Sequence, residues 1–164
     1  MTHDGLLRSG DLALRRVGTA DLASLVALQR AAYAKNRQLL GVEPLPLLAD
    51  YAAIMRDMEV WVAEKDDRIV GALILEPRAD DLLIWSIASD PATQGAGLGR
   101  TLLAAAEERA RQLGRTVVRL YTGTPLAHLV AWYGRHGFAV ERIEALSDRS
   151  ITHMIKFLGP PLEQ

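Results

Sequence analysis

The stretch from Leu82 to Leu113 constrains the fold more than any other part of the chain. Leu82 to Ser89 is nearly all apolar, which predicts a central strand covered on both faces. A glycine-rich turn follows, Gln94-Gly95-Ala96-Gly97-Leu98-Gly99. Then Leu98, Leu102, Leu103, Ala106, Ala110 and Leu113 keep helical spacing, and Glu107, Glu108, Arg109, Arg111 and Gln112 lie off that stripe. Gly114 is placed to stop the helix, and Thr116 to Tyr121 reads as the next strand. A buried strand, a tight turn and an amphipathic helix in this order predict a helix packed on a sheet.

The remaining elements alternate in the same manner. Leu12 to Val17 reads as a strand, followed by a helix with Leu22, Leu25, Val26 and Leu28 to Ala32 on its apolar side. Thr19 or Asp21 can cap it, because a short side-chain oxygen satisfies an orphan N–H. Gly41 through Pro46 breaks the chain, and Leu47 to Met58 reads as a second helix. Val60–Glu64 and Arg68–Leu75 are strands joined by a hairpin at Lys65-Asp66-Asp67. Pro125 to His136 reads as a helix, and Phe138 to Ala145 and Ile151 to Leu158 as a closing strand pair. The order is β-α-α-β-β-β-α-β-α-β-β. It predicts an α/β (α+β) fold with a mixed sheet and helices on both faces. The chain reads as a single domain over 1–164, with an ordered core of about 11–158 and loose ends at 1–10 and Gly159-Pro160-Pro161.

Composition narrows the function classes. Apolar residues are 49% and charged residues 24%, as in ordinary globular domains. The formal net charge of -1 gives no global argument for a nucleic-acid partner, and leaves a local basic patch open. Without cysteine there is no disulfide, thiolate metal site or cysteine nucleophile. His3, His128, His136 and His153 have no metal-ligand spacing, so no metal is expected. The start lacks a basic region followed by an apolar run, and no apolar stretch reaches the roughly 20 residues that span a bilayer. The expectation is a cytoplasmic protein with neither nucleic-acid nor membrane partners.

The glycine-rich turn admits three readings. Glycines let backbone approach a ligand closely, and N–H groups at a helix start make an anion site suited to a pyrophosphate. The turn can equally be a tight connection without a ligand. A dinucleotide fingerprint needs Gly-x-Gly-x-x-Gly in a first βαβ unit and an acid about 20 residues on. Here the spacing is Gly95-Ala96-Gly97-Leu98-Gly99, past mid-chain, and Arg115-Thr116-Val117-Val118 offers no acid. A Walker A loop is absent, since no Gly-Lys-Ser/Thr follows.

The segment Ile87-Ala88-Ser89-Asp90-Pro91-Ala92-Thr93-Gln94-Gly95-Ala96-Gly97-Leu98-Gly99-Arg100-Thr101-Leu102-Leu103 resembles the acetyl-CoA motif of the GNAT N-acetyltransferases. That motif has a hydrophobic strand end, a proline turn, then Gln/Arg-x-x-Gly-x-Gly/Ala and a helix; Gln94, Gly97 and Gly99 stand at its named positions. Trp132-Tyr133-Gly134-Arg135-His136-Gly137-Phe138 is similar to the family's Leu-Tyr-x-x-x-Gly-Phe element, and His153-Met154-Ile155-Lys156 resembles its final strand. The likeness runs from the Arg15-Arg16 strand to Leu158.

The resemblance implies an acetyl-CoA-dependent N-acetyltransferase acting on a small-molecule or peptide amine. The backbone of Ile87, Ala88 and Ser89 would hold the pantetheine arm, and the N–H groups of Gly95, Ala96, Gly97, Leu98, Gly99 and Arg100 the phosphates. Thr101 can add a hydroxyl and Arg100 a charge. A backbone N–H near Ala88 would stabilise the carbonyl oxygen as charge builds on it. Tyr133 stands where the family has its general acid.

The sequence departs from the family at two places. Leu82 to Ser86 carries no glutamate as a base, and Gly123 to Leu129 carries no asparagine for the pantetheine. Ser86 can orient a water. Glu76, Asp80, Asp81 and His128 are base candidates, but each reads first as structural, so the base stays unassigned. A non-catalytic acyl-CoA sensor is the alternative these departures suggest. Tyr33, Asn36, Arg37, Tyr51 and Trp85 are placed to wall the acceptor site. Edge strands at the C-terminal hairpin, with Phe157 and Leu158, predict a homodimer.

Overall fold

The computed structural model describes residues 5–93 and 97–159. Among them, β1 (Leu7–Ser9), β2 (Leu12–Arg16), β3 (Glu59–Lys65), β4 (Arg68–Pro77), β5 (Leu82–Ser89), β6 (Val117–Gly123), β7 (Ala139–Ala145) and β8 (Ser150–Phe157) form one sheet in the order β1-β2-β3-β4-β5-β6-β8-β7. All neighbours are antiparallel except β5 and β6. The mixed sheet expected from the strand–helix–strand pattern is therefore present.

Period-two alternation sorts the core into two layers. Val60 and Val62 on β3, with Ala72 and Ile74 on β4, pack against α1 (Leu22–Tyr33) and α4 (Tyr51–Asp57) through Leu25, Leu28, Tyr51 and Ile54. Trp61, Ala63, Leu73 and Leu75 point the other way, onto α5 (Leu98–Gln112). There Leu102 and Leu103 are at most 1% exposed. Burying each stabilises the fold by roughly 1.5–3 kcal/mol. Gly71 on β4 permits the close approach, because a Cβ there would lie 3.3 Å from Leu98 Cδ2 and 3.4 Å from Leu102 Cδ1.

Three expectations are corrected. Residues before Asp11 include β1, which pairs with β2 and buries Leu7 completely. Leu47 to Met58 is not one helix: α2 (Arg37–Leu40) and α3 (Leu45–Leu48) come first, the chain extends at Ala49, and α4 starts afresh. Asp50 causes the restart, its Oδ1 accepting the Ala53 N–H at 3.2 Å. Asp21 stands at the N-cap of α1, but neither its side chain nor that of Thr19 bonds an N–H of that helix. The Asp21 carboxylate instead takes the Gly18 N–H at 2.7 Å and an Arg15 N–H at 2.8 Å. The hairpin stands as expected, with Asp66 and Asp67 both at positive φ, the pattern of a type I′ turn.

Candidate active site

The site begins with a split between β5 and β6. They pair only at Leu82↔Val118, Leu83↔Arg119 and Ile84↔Leu120. Beyond Ile84, β5 stays with β4 as far as Ser89↔Gly71, and β6 stays with β8 as far as Gly123↔Ile151. A bulge makes the parting: Ile74 faces Ser86 and Leu75 faces Ile84, so Trp85 is the extra residue. The alternation slips there. Trp85 packs into the α1 layer, Ser86 bonds to α1, and Ile87 returns to the α5 layer. The closed end is clamped by Asp81, which accepts from Arg78 Nε and Nη2 at 2.7 Å and from Arg119 Nη1 at 2.7 Å.

The open end is a cavity of about 210 Å³. β5, β6, α6 (Ala127–Arg135), the α1–α3 region and the start of β8 surround it. Tyr33, Trp85 and Tyr133 all line it. Tyr51 does not; it supports Trp85 edge-on, with ring centroids 6.3 Å apart. Arg37 lies outside, paired with Glu43 at 2.6 Å.

A buried relay fixes the α1 side of the cavity. Gln29 Nε2 donates to Tyr51 Oη at 2.9 Å and to Ser86 Oγ at 3.1 Å. Tyr51 Oη in turn donates a hydrogen bond to the Pro46 carbonyl at 2.6 Å. Tyr33 donates to the Ile87 carbonyl at 3.1 Å, so Ser86, 2.7 Å from the Tyr33 oxygen, is the donor of that pair. Ser86 is therefore held by the relay. Burial raises the Tyr33 phenol above its ordinary range and pushes Tyr51 up to about 12. Gln29 Oε1 is buried and has no partner among the described residues. Sequence reasoning missed Gln29, yet Leu25, Gln29 and Tyr33 share one helix face at four-residue spacing, and a polar residue inside that stripe was the available signal.

Tyr133 reaches the cavity from α6. Its ring sits edge-on to Trp132 at 5.0 Å and to Phe138 at 5.7 Å. Its hydroxyl makes no hydrogen bond to any described residue. Burial, reinforced by the Tyr33 hydroxyl, raises its pKa, so the phenol is protonated at neutral pH. None of the base candidates lines the cavity: Asp81 is the clamp, Asp80 and His128 are exposed, and Glu76 lies along β4. Among the described residues, no carboxylate or histidine lines it.

Ile87, Ala88 and Ser89 form the end of β5 and lead through residues 91–93 toward α5. Gln94, Gly95 and Ala96 lie outside the described residues. Gly97 precedes α5 with φ of 76°, a left-handed conformation suited to glycine. Leu98, Gly99, Arg100 and Thr101 make the first helical turn. The Thr101 hydroxyl donates to the Gly97 carbonyl at 3.0 Å, and Arg100 is exposed. The end of β5 beyond the split therefore leads in the chain to the start of α5.

Residues 23–138 match the model of the acetyltransferase (GNAT) family, and the chain belongs to that family. It is 29% identical over 87 residues to the uncharacterized N-acetyltransferase YvbK of Bacillus subtilis (strain 168), covering 52% of this chain and 56% of that one. The match thus spans only about half the length of that curated relative. The ribosomal-protein-S18-alanine N-acetyltransferase of Escherichia coli superposes with a TM-score of 0.72 at 19% identity, over 93% of this chain and 99% of that one. The PaiA N-acetyltransferase of Thermoplasma acidophilum, in complex with coenzyme A, gives 0.69 at 19%, over 90% and 99%. These structural likenesses establish the fold.

Proposed function

We propose that the protein transfers an acetyl group from acetyl-CoA to a primary amine, with Tyr133 as general acid. One observation carries the reading: the split between β5 and β6 opens a cavity into which Tyr133 points a hydroxyl with no partner among the described residues. Family membership and the coenzyme A held by the PaiA relative support the donor assignment.

The donor supplies a thioester-bound acetyl group. The free edge of β5 at Ile87 to Ser89 suits an extended arm, and the N–H groups from Gly97 to Arg100 suit phosphate, the Thr101 N–H being taken by the Gly97 carbonyl. Tyr33 already occupies the Ile87 carbonyl, which leaves N–H groups of this edge to polarise the acetyl oxygen. As the amine nitrogen bonds to the carbonyl carbon, the C–S bond breaks and the Tyr133 proton passes to sulfur. The amine proton leaves to water, because the described wall carries no carboxylate or histidine, and the Tyr133 phenolate takes a proton back from water. A phenol with a raised pKa remains competent, since burial also makes the departing thiolate more basic.

That missing base favours a second reading, a non-catalytic acyl-CoA-binding module. Coenzyme A release from acetyl-CoA across a panel of primary amines separates the two. Tyr133→Phe is expected to lower kcat by about 10²–10⁴-fold while acetyl-CoA affinity holds. Equal turnover by the variant would remove the acid role, and no release with any amine would favour the binding module.

A further inference from the structure

We infer, building on the acetyltransferase reading above, that the acceptor is an apolar α-amino acid or its amide, a small amine with a carbonyl group beside the amine and no second cation. Three features of the cavity carry this.

The wall is largely apolar, with Leu40, Pro46, Trp85, Leu126 and Ile151 on it. Its one charged side chain among the described residues is a cation, Arg149. A polyamine or aminoglycoside would bury a further ammonium there beside a like charge and without a lining carboxylate, which is strongly unfavourable.

Asn36 also lines the cavity and is only 5% exposed, yet its carboxamide bonds to no described residue. Its amide atoms are not sealed away, since Gln29 Oε1 is the one buried side-chain atom without a partner among the described residues, so they face the open space of the cavity. The Asn36 amide offers two donors and an acceptor to whatever fills the space.

Arg149 is held but not saturated. Its Nε and Nη2 bind the Asp148 carboxylate at 3.1 and 3.0 Å, and Nη1 binds the Glu43 carbonyl at 2.9 Å. A guanidinium has five N–H groups, so one remains on each η nitrogen. Its side chain is 9% exposed, so Asp148 and Glu43 fix a nearly buried fork. A carboxylate or amide oxygen satisfies such donors, and an apolar side chain matches the remaining wall.

The test is the relative kcat/KM of the full chain for phenylalanine, phenylalaninamide, 2-phenylethylamine and spermidine in a coenzyme A release assay. Phenylalanine or its amide should exceed 2-phenylethylamine by about tenfold or more, the worth of a charge-assisted hydrogen bond, with spermidine last. The acid–amide pair tells a carboxylate from a carbonyl requirement. Asn36→Ala should shrink the preference for phenylalanine over 2-phenylethylamine. Spermidine ranking first, or 2-phenylethylamine equalling both phenylalanine compounds, overturns the inference while acetyl transfer stands. If no amine is turned over, calorimetry of phenylalanine and spermidine with and without coenzyme A decides. Saturable binding of phenylalanine alone upholds the acceptor class and faults the chemistry; no phenylalanine binding overturns the class.

Discussion

Gln29 offers a sharp test of the packing behind the site. Replacing it with leucine removes two hydrogen bonds, to Tyr51 and Ser86. At about 0.5–1.5 kcal/mol each, the loss is about 1–3 kcal/mol. Both hydroxyls keep the partner to which they donate, Pro46 and Tyr33 respectively. The same substitution removes Oε1, a buried acceptor without a partner among the described residues, and relieves a penalty of about 1–3 kcal/mol. The two nearly cancel, so Gln29→Leu should change stability by no more than about 1 kcal/mol. Gln29→Ala forfeits the same bonds and leaves a void, so it should fall below the leucine variant by about 2–4 kcal/mol. Urea denaturation at constant m-value measures both. A leucine variant less stable than wild type by more than about 3 kcal/mol would mean that Oε1 is satisfied, and the relay drawn above would be wrong.

Further outcomes follow from the clamp, the phenol and the sheet edge. Asp81→Ala should cost about 2–3 kcal/mol, below a fully buried pair because Arg78 and Arg119 keep contact with solvent. Arg78 first, then Arg119, hold the Asp81 carboxyl below its usual range against the opposing effect of burial. Its contribution is therefore full above the unfolded value of about 3.9 and lost as pH falls through the folded value; acid denaturation of the variant should lack that loss. Because the Tyr133 pKa is raised, its stabilisation is present below the unfolded value of about 10 and lost as pH rises beyond it. Alkaline denaturation should shift to higher pH in Tyr133→Phe. We also propose pairing at the outer edge of β7, near exposed Val140, Ile143 and Phe157; light scattering should give twice the chain mass, and a monomer would reject it.

Much of the fold was legible because periodicity survives burial. β5 and the α5 stripe were readable residue by residue, and Asp66-Asp67 announced its turn. β1 was not, since three residues with a single fully buried leucine carry no period. The α3–α4 break was hidden because Ala49 is no breaker and only the Asp50 cap reveals it. The opening of the site depends on which strand keeps which neighbour, a register fact set by the bulge at Trp85. Nothing in the run Leu82 to Ser89 marks that bulge. Tyr33 and Trp85 were recognisable as candidate acceptor-site residues from the sequence, but Arg149 reaches the cavity from the β7–β8 turn and had no local signal.

Calorimetric titration of acetyl-CoA into the protein and a Gly97→Trp variant tests whether the donor binds at the head of α5, with melting temperature as a check on folding. Gly97 has left-handed backbone, and a Cβ there would already lie 3.4 Å from the Arg100 guanidinium. Binding at a roughly micromolar Kd, about 8 kcal/mol, is expected in the wild type and should be lost in the folded variant. No binding to the wild type, or equal binding to both, would contradict the donor site at the head of α5.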